Sequence, residues 1–256
     1  MILRIIRRIR YYVNLLVRLN IIKTIYFNFK MLPANIAVKL PIYVYGKAKF
    51  RELNGRIVIN APIKRGMIKI GKNDYYVRTA VPLTNWVVNG IINFNGSAKL
   101  LNGGYLCVSR GATLTFGDGL MIGSNYKIMC FENISIGKTF EMTYDCQIYD
   151  TSFHYTEFED GSKVRKLTKP ISIGDYVWVG NTSSIVKGAS IPNRAIIAAN
   201  SLVNKNYTSN LIDENDSGCL IAGVPAKLKI VGVKRIFDKD IENLYDKQFG
   251  YDRTHL

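Results

Sequence analysis

The sequence has few of the residues that metal sites use. It contains only two histidines, His154 and His255, and four cysteines without C-x-x-C spacing. Zinc sites take three or four His, Cys or carboxylate ligands held close together. We therefore set aside metal-dependent chemistry and expect no metal cofactor. The scattered cysteines are typical of free thiols in a reducing compartment.

Long hydrophobic runs are also missing. The N-terminus interrupts its apolar residues with Arg4, Arg7, Arg8 and Arg10. A signal peptide needs an unbroken apolar stretch, and a membrane-spanning helix needs about 20 apolar residues. The expected location is therefore the cytoplasm. With 256 residues, 48% of them hydrophobic, the chain is long enough for one substantial core or two small ones.

Acidic residues are scarce near the N-terminus. The net charge of the chain is +16, and residues 1–52 contain eleven basic residues and one acidic residue. Residues 1–30 mix basic with apolar and aromatic residues at partly helical spacing. Two interpretations are equally open: peripheral contact with an anionic membrane surface, or a helix packed on the protein's own assembly with its cations facing water. Nucleic-acid binding ranks last, because no motif supports it.

A six-residue repeat dominates the second half of the sequence. From Ile171 the chain reads ISIGDY, VWVGNT, SSIVKG, ASIPNR, AIIAAN and SLVNKN. Because six is even, the repeated aliphatic position points to one side of an extended chain. Three strands then close a coil of about 18 residues, and coils stack about 4.8 Å apart, which predicts a parallel β-helix. The predicted interior pairs are Ile173 with Ile191, Val179 with Ile197, and Ile185 with Val203.

The repeat continues upstream of Ile171 in a looser form. Two extra residues between Ile128 and Ile136 predict a small bulge or a corner loop. Earlier still, short aliphatic strands alternate with Asn-Gly bends. These bends begin at Asn54, Asn89, Asn95 and Asn102.

Three segments are predicted from these patterns. Residues 1–52 form a basic, partly helical N-terminal segment, and residues 53–232 form the β-helix. Within it, residues 150–170 lack the interior pattern and are predicted to project as a loop, a common place for function on a rigid scaffold. Residues 233–256 form a C-terminal helix and tail, and we expect the helix to cap the open coil.

Parts of the sequence resemble a known family. These are PISIGDYVWVGN at residues 170–181, the repeats after it, AGVPAK at residues 222–227 and DTSFH at residues 150–154. They resemble the hexapeptide-repeat acyltransferases, most closely the sugar and polysaccharide O-acetyltransferases of the maltose, galactoside and capsule type. The resemblance covers residues 116–230 and implies an all-β solenoid, a left-handed parallel β-helix. It also implies a homotrimer with active sites between neighbouring subunits.

The sequence departs from the family pattern in two places. Its N-terminal third is irregular and basic, and a polar insertion follows Lys205. Both departures leave the identity of the acceptor open.

The resemblance assigns the catalytic residues. His154 matches the family's catalytic histidine, which takes the proton of the acceptor as its oxygen attacks the thioester directly. The alternative is a surface histidine packed among aromatic residues. Asp150, or with less support Asp145, is a candidate to orient the imidazole through a hydrogen bond. Each of these carboxylates fits a solvated corner residue equally well.

The resemblance also predicts the groove for acetyl-CoA. Its lining residues would be Trp178, Asn181, Ala199, Asn204 and Lys205, with Lys227 nearer the nucleotide. The alternation of side chains along its strand points Trp178 outward, where a large apolar ring needs a protein partner or a ligand. Ala199 also fits a tight corner, and the two lysines fit ordinary solvated cations.

The predicted function is an acetyl-CoA-dependent O-acetyltransferase that acts on a sugar hydroxyl in capsule, O-antigen or exopolysaccharide biosynthesis. Peripheral membrane contact through residues 1–30 is compatible with an acceptor carried on a lipid. Two alternatives stay open: an N-acetyltransferase of a nucleotide-linked amino sugar, and a non-catalytic β-helix that binds partners.

Overall fold

The computed structural model describes residues 19–72, 83–208 and 217–251. Most of them wind into a solenoid with three sheets, to which each regular coil contributes one strand. All strand pairs within these sheets are parallel except the last pair of the 9-stranded sheet. Predictions for residues 1–18 and His255, and most of the insertion after Lys205, lie outside the described residues.

The strands of the three sheets follow in spatial order. The 9-stranded sheet contains β1 (Ile42–Val44), β4 (Ile68–Lys72), β7 (Ala98–Leu101), β10 (Leu120–Ile122), β13 (Glu141–Met142), β18 (Trp178–Val179), β21 (Ala195–Ile197), β23 (Cys219–Gly223) and β24 (Ala226–Val231). The 7-stranded sheet contains β2 (Ala48–Leu53), β5 (Thr84–Val88), β8 (Tyr105–Val108), β11 (Lys127–Cys130), β14 (Gln147–Tyr149), β19 (Ser184–Val186) and β22 (Leu202–Val203). The 6-stranded sheet contains β20 (Ser190–Ile191), β17 (Ile171–Ile173), β12 (Asn133–Ile136), β9 (Thr113–Phe116), β6 (Ile91–Phe94) and β3 (Arg56–Ile59).

The remaining elements lie outside the three sheets. They are the antiparallel hairpin β15 (Thr156–Glu157) and β16 (Val164–Arg165), and the helices α1 (Ile21–Met31), α2 (Ala34–Ala37) and α3 (Lys239–Phe249).

The predicted parallel β-helix and its register are confirmed. The three interior pairs expected from the repeat are the observed partners on neighbouring strands. All six side chains are buried, because the two-residue alternation of a strand sends the repeated aliphatic position inward on every coil. The interior is therefore a set of aliphatic ladders.

The interior of the N-terminal coils is filled by large aromatic side chains. Trp86 donates its indole N–H to the hydroxyl of Tyr126 over 2.9 Å, and neither residue is exposed. Phe94 and Phe116 are register partners whose tilted rings pack with centroids 5.2 Å apart. The hydrogen bond lets two polar groups be buried at low cost.

The solenoid begins earlier than the predicted boundary at residue 53. Strands β1 and β2 already form the first coil, and β2 pairs with β5. The outward residues Lys49 and Arg51 of β2 are exposed cations, which give this strand the same basic composition as the N-terminal region before it.

Helix α1 closes the N-terminal end of the solenoid. Asn28 donates its side-chain amide to the Ile42 carbonyl over 2.7 Å and accepts the Ile42 N–H over 3.2 Å. Thr24 Oγ1 accepts the Val44 N–H over 3.0 Å. These side chains take the place of the next strand for the outer edge of β1, so the backbone of that edge is not left unpaired.

The C-terminal helix is present, but it does not cap the last coil. None of the residues of α3 is buried. Just before it, Arg235 pairs with Glu141 on β13 and lies over Trp178 on β18. The segment before α3 therefore runs back along the outside of the 9-stranded sheet. The last coil pairs with the antiparallel strand β24 instead.

Candidate functional site

Residues 151–168 leave the solenoid between β14 and β17, as predicted, and carry the exposed hairpin β15–β16. Thr151 and Thr168 form an antiparallel bridge at the base, and the Ser152 N–H donates to the Leu167 carbonyl over 2.9 Å. The base is therefore ordered, which fixes where the projecting residues lie. We call this corner of the solenoid, at residues 150–170, 187–189 and 204–206, the loop corner.

His154 lies on the loop with its side chain exposed. Its backbone N–H donates to the Ser152 carbonyl over 2.7 Å. The residue before it, Phe153, has a left-handed φ of 61°, which is uncommon for a bulky side chain. The Phe153 ring packs edge-to-face against Phe131 at 5.6 Å and Tyr149 at 6.0 Å. This aromatic contact stabilises the sharp turn that presents the imidazole to solvent.

Lys187 joins the loop to the next coil. Its ammonium group donates to Ser152 Oγ over 2.8 Å, to the Lys166 carbonyl over 2.8 Å and to the Leu167 carbonyl over 3.2 Å. Ser152 Oγ also lies 3.1 Å from the carbonyl oxygen of His154. The Lys187 ammonium group thus joins the first arm of the loop, at Ser152, to the returning arm, at Lys166 and Leu167.

Asp150 is buried at the entry of the loop, and its carboxylate is used by the backbone. Oδ1 accepts the Phe131 N–H over 2.7 Å, and Oδ2 accepts the N–H groups of Glu132 and Asn133 over 2.8 and 2.9 Å. Residues 131–133 lie in the corner that was predicted from the two extra residues between Ile128 and Ile136. Burial raises the pKa of the Asp150 carboxyl, and the three amide hydrogen bonds oppose that rise.

The predicted link between Asp150 and the imidazole is not seen. Within the described ranges, no hydrogen bond joins His154 to Asp150, whose oxygens are taken by the 131–133 amides. The alternative, Asp145, is an exposed corner residue with a left-handed φ of 58° at the other end of β14. An orienting role for either carboxylate stays a prediction.

The six residues predicted for the acetyl-CoA groove lie in three places. Trp178 and Lys227 are on the 9-stranded sheet, and Asn181 and Ala199 are at its corner with the 7-stranded sheet. Asn204 and Lys205 belong to the loop corner, where the Ser190 N–H donates to the Lys205 carbonyl over 3.2 Å. Within one chain only these last two share a corner with the His154 loop.

Trp178 points outward, as predicted, and contacts the protein's own C-terminal segment. The guanidinium of Arg235 lies 5.5 Å from the centre of the indole ring. Arg235 also forms an ion pair with Glu141, which neighbours Trp178 on β13. The indole therefore has an internal partner in cation–π geometry.

Sequence reasoning missed Lys187 and Arg235. Lys187 follows a repeat strand, where a lysine is usually a solvated cation, and its three acceptors come from a loop without periodicity. Arg235 lies in a segment with no repeat at all. The spacing of residues in the sequence therefore gave no signal for either contact.

Metal-ligand clusters and membrane-spanning helices are absent from the described part of the chain. No three His, Cys, Asp or Glu side chains there lie close enough together to hold a metal ion. No helix there is both long and apolar enough to cross a bilayer.

Comparisons with known proteins identify the relatives of this chain. No family model matches it. A Saccharomyces cerevisiae protein named as an acetyltransferase, YJL218W, is 28% identical over 130 residues, which are 51% of this chain and 60% of the yeast protein. WbbJ of Escherichia coli K12, named as a lipopolysaccharide biosynthesis O-acetyl transferase, is 23% identical over 150 residues, which are 55% of this chain and 71% of WbbJ. The chain is therefore similar to proteins named as acetyltransferases, the enzyme class that the resemblance in its sequence implied.

A solved structure supports the fold. The crystal structure of NeuO, described as a polySia-specific acetyltransferase, matches with a TM-score of 0.53 at 20% identity, over 81% of this chain and 99% of NeuO. This likeness confirms the left-handed β-helix. The predicted enzyme class, an acyltransferase, agrees with the names of both curated relatives, although the match spans less than two thirds of the yeast protein's length.

Proposed function

We propose that this protein is an acetyl-CoA-dependent O-acetyltransferase that modifies a hydroxyl group of a sugar or polysaccharide. One observation carries the proposal: an exposed imidazole, His154, stands on an ordered loop that is fastened to a rigid acyltransferase-type solenoid. A base of this kind must be accessible and held in place.

The proposed reaction is a direct transfer. His154 takes the proton of the acceptor hydroxyl as its oxygen attacks the thioester carbonyl carbon. The new C–O bond forms, the C–S bond breaks, and the sulfur of coenzyme A leaves with a proton from the imidazolium. This cycle needs no acyl-enzyme, so the buried serines Ser183 and Ser201 have no catalytic task.

Acetyl-CoA would bind between subunits. The residues predicted for its groove are Trp178, Asn181, Ala199, Asn204, Lys205 and Lys227. Because Asn204 and Lys205 belong to the loop corner and the other four do not, a groove that uses all six needs two copies of the chain to face each other. A homotrimer satisfies this requirement, and light scattering coupled to size-exclusion chromatography would measure it.

The acceptor is a carbohydrate in this proposal. WbbJ is named for lipopolysaccharide biosynthesis and NeuO for polySia, and both names support a sugar hydroxyl in capsule, O-antigen or exopolysaccharide synthesis. The alternative acceptor is the amino group of a nucleotide-linked sugar. Incubating the protein with acetyl-CoA and each acceptor class, and following the free thiol, separates the two activities.

The decisive variant is His154→Ala. Loss of a general base lowers kcat by about 10²- to 10⁴-fold, while the KM for acetyl-CoA changes little. The matched control is Tyr155→Ala, which removes an exposed neighbour on the same loop. If His154→Ala turns over at the wild-type rate, the mechanism is wrong, and a non-catalytic β-helix becomes the better interpretation.

We also propose a cytoplasmic protein whose helix α1 touches the inner face of an anionic membrane. The outward side of α1 exposes Ile21, Ile22, Ile25, Tyr26 and Phe29, and the helix contains no acidic residue. Apolar residues next to cations are what an interfacial helix needs. The inward side closes the solenoid, so deletion of residues 1–30 would damage the fold as well.

Substitution on the outward side tests the membrane contact. The variant Ile22→Asn/Ile25→Asn should sediment less with phosphatidylglycerol vesicles than the wild type does. The control is Val38→Asn, an exposed apolar residue outside α1. Unchanged sedimentation of the double variant would remove the membrane contact from the proposal.

A further inference from the structure

We propose that this protein has an additional binding site, a lysine patch on the outside of the 9-stranded sheet that binds the carboxylates of an acidic polysaccharide acceptor. The patch consists of Lys69 and Lys72 on β4, Lys99 on β7 and Lys239 at the start of α3. This inference rests on the proposed function, because it presupposes a sugar acceptor, and it specifies the chemical class of that acceptor.

The β-helix places two of these lysines directly beside each other. Lys69 and Lys99 are register partners on neighbouring parallel strands, which lie about 4.8 Å apart. Their neighbours in sequence, Ile68, Ile70 and Leu100, are fully buried, so strand alternation sends both lysines outward. Like charges placed directly opposite each other destabilise a sheet.

Neighbouring lysines act on both Lys69 and Lys99. Burial lowers the pKa of Lys69, and Lys72 and Lys99 lower it further. Burial also lowers the pKa of Lys99, with additional lowering by Lys72 and Lys239. Lys69 and Lys99 are therefore each repelled by two other lysines of the patch.

The register partners of Lys69 and Lys99 on the following strands of the 9-stranded sheet include one carboxylate, and it already has a partner. Met121 on β10 follows Lys99, and Glu141 on β13 comes next. Glu141 is in an ion pair with Arg235. Among the residues that the structure describes, no carboxylate forms an ion pair with Lys69, Lys72 or Lys99. A bound anion would relieve the repulsion that the fold leaves in place.

The surroundings favour a polymer of acidic sugars over a small anion. Three cations on two neighbouring strands match repeated charges better than a single charge, whereas the start of α3 adds Lys239 together with the acidic residues Asp238, Asp240 and Glu242. Tyr43 on β1 is the register partner of Lys69 and is half-buried. Its ring offers a flat surface for the apolar face of a sugar, and its hydroxyl can form a hydrogen bond.

The location distinguishes the patch from the groove proposed for acetyl-CoA. Strands β4 and β7 belong to the second and third coils, whereas Trp178 and Lys227 lie on β18 and β24, farther along the same sheet. The patch is also on the flank of the solenoid, while α1 closes its N-terminal end. A long acceptor chain could occupy the flank while one of its sugars reaches the imidazole of a neighbouring subunit.

The test compares two variants with equal loss of charge. The first is Lys69→Gln/Lys72→Gln/Lys99→Gln. The control is Lys49→Gln/Lys127→Gln/Lys229→Gln, which changes three exposed lysines on other strands. The probes are labelled polysialic acid, which carries a carboxylate on every sugar, and neutral dextran of similar length. Fluorescence anisotropy at low salt measures binding by the full-length protein.

We expect the patch variant to bind polysialic acid about tenfold more weakly than the wild type, since several exposed charge pairs each contribute a few-fold. The control variant should keep wild-type affinity, and dextran should bind weakly to all three proteins. Acetyl transfer to a neutral monosaccharide, and the KM for acetyl-CoA, should be unchanged in the patch variant.

Several outcomes would overturn the patch. One is an equal loss of affinity in both variants, which would mean that only net charge matters. Another is a patch variant that keeps wild-type affinity for polysialic acid but binds acetyl-CoA or phosphatidylglycerol vesicles more weakly than the wild type. If the wild type transfers acetyl to no sugar but still binds polysialic acid through these lysines, the proposed activity fails and the binding site stands.

Discussion

At the scale of single residues, the contacts that hold the His154 loop are those of Lys187 and Asp150. Lys187 binds three acceptors on the two arms of the loop, and Asp150 binds the three amides of the corner below it. Neither contact touches the imidazole. Both determine where it stands relative to the solenoid, and under the proposed mechanism a small displacement of this base is costly.

Replacing Lys187 by methionine should lower kcat about tenfold, because the loop loses the cation that joins its arms to the solenoid. The KM for acetyl-CoA should stay the same. Lys187→Arg should restore part of the rate, and Lys163→Met, on the hairpin turn, is the control. Steady-state kinetics and hydrogen exchange over residues 151–168 measure the effect. Wild-type kcat together with wild-type exchange would show that Lys187 has no positioning role.

Replacing Asp150 by asparagine should destabilise the protein by about 1–3 kcal/mol, because an amide cannot accept all three N–H bonds. Folding raises the pKa of the Asp150 carboxyl. The contribution of this group to the unfolding free energy is therefore present below the pKa that it has in the unfolded chain, and it is lost as the pH rises through the pKa that it has in the folded protein. The wild type therefore gains stability on acidification that the variant cannot gain.

Urea unfolding of both proteins at neutral pH and near the ordinary aspartate pKa of about 4 measures this dependence. The difference in unfolding free energy between wild type and Asp150→Asn should widen at the lower pH. A difference that narrows on acidification would contradict the direction of the pKa shift.

At the scale of elements, α1 takes the place of a neighbouring strand at the outer edge of β1. Asn28 pairs with both backbone groups of Ile42, and Thr24 pairs with Val44. A helix cannot extend a sheet with its own backbone, since its amide and carbonyl groups are already used within the helix. The side chains of α1 therefore supply the hydrogen bonds.

Replacing Asn28 by leucine should lower the unfolding free energy by about 2–4 kcal/mol, since the N–H and the carbonyl of Ile42 lose their buried partners. Asn35→Leu, at an exposed position of α2, is the control and should have little effect. Thermal unfolding gives the change, and the Ile42 amide should exchange faster. Equal melting temperatures for the two variants would contradict the capping role of Asn28.

Element positions were predictable where the repeat was strict. The loop at 150–170 stood out because it breaks a six-residue pattern that resumes at Ile171. The start of the solenoid lies before the boundary that composition predicts, because the short strands β1 and β2 are surrounded by basic residues. The terminal helix was predicted from apolar spacing, but spacing along a helix does not say which surface the helix lies against.

At the scale of the whole molecule, stability is distributed along a stack of coils. Each coil packs against its two neighbours, so the solenoid behaves as a nearly one-dimensional array. Ile185 shows this arrangement: it pairs with Ile148 on one side and with Val203 on the other.

Replacing Ile185 by asparagine should lower the unfolding free energy by about 4 kcal/mol, through lost burial and an unpaired amide in the interior. Val186→Asn, one residue later and pointing outward, should cost less than about 1 kcal/mol. Hydrogen exchange should rise on β14 and β22 as well as on β19. Equal destabilisation by the two substitutions would contradict the inward and outward assignment of the strand.

The sequence alone determined the coil, its register and the place where the loop leaves it. A six-residue repeat in extended chain sends the same repeat position inward on every strand, so the interior side chains can be assigned directly. Tertiary structure decided the rest. It placed Asp150 on backbone amides, joined Lys187 to the loop, laid Arg235 over Trp178 and aligned the lysines of neighbouring coils. These contacts join residues that are far apart in sequence or lie outside the repeat, so no local pattern encodes them, and only the packed chain brings them together.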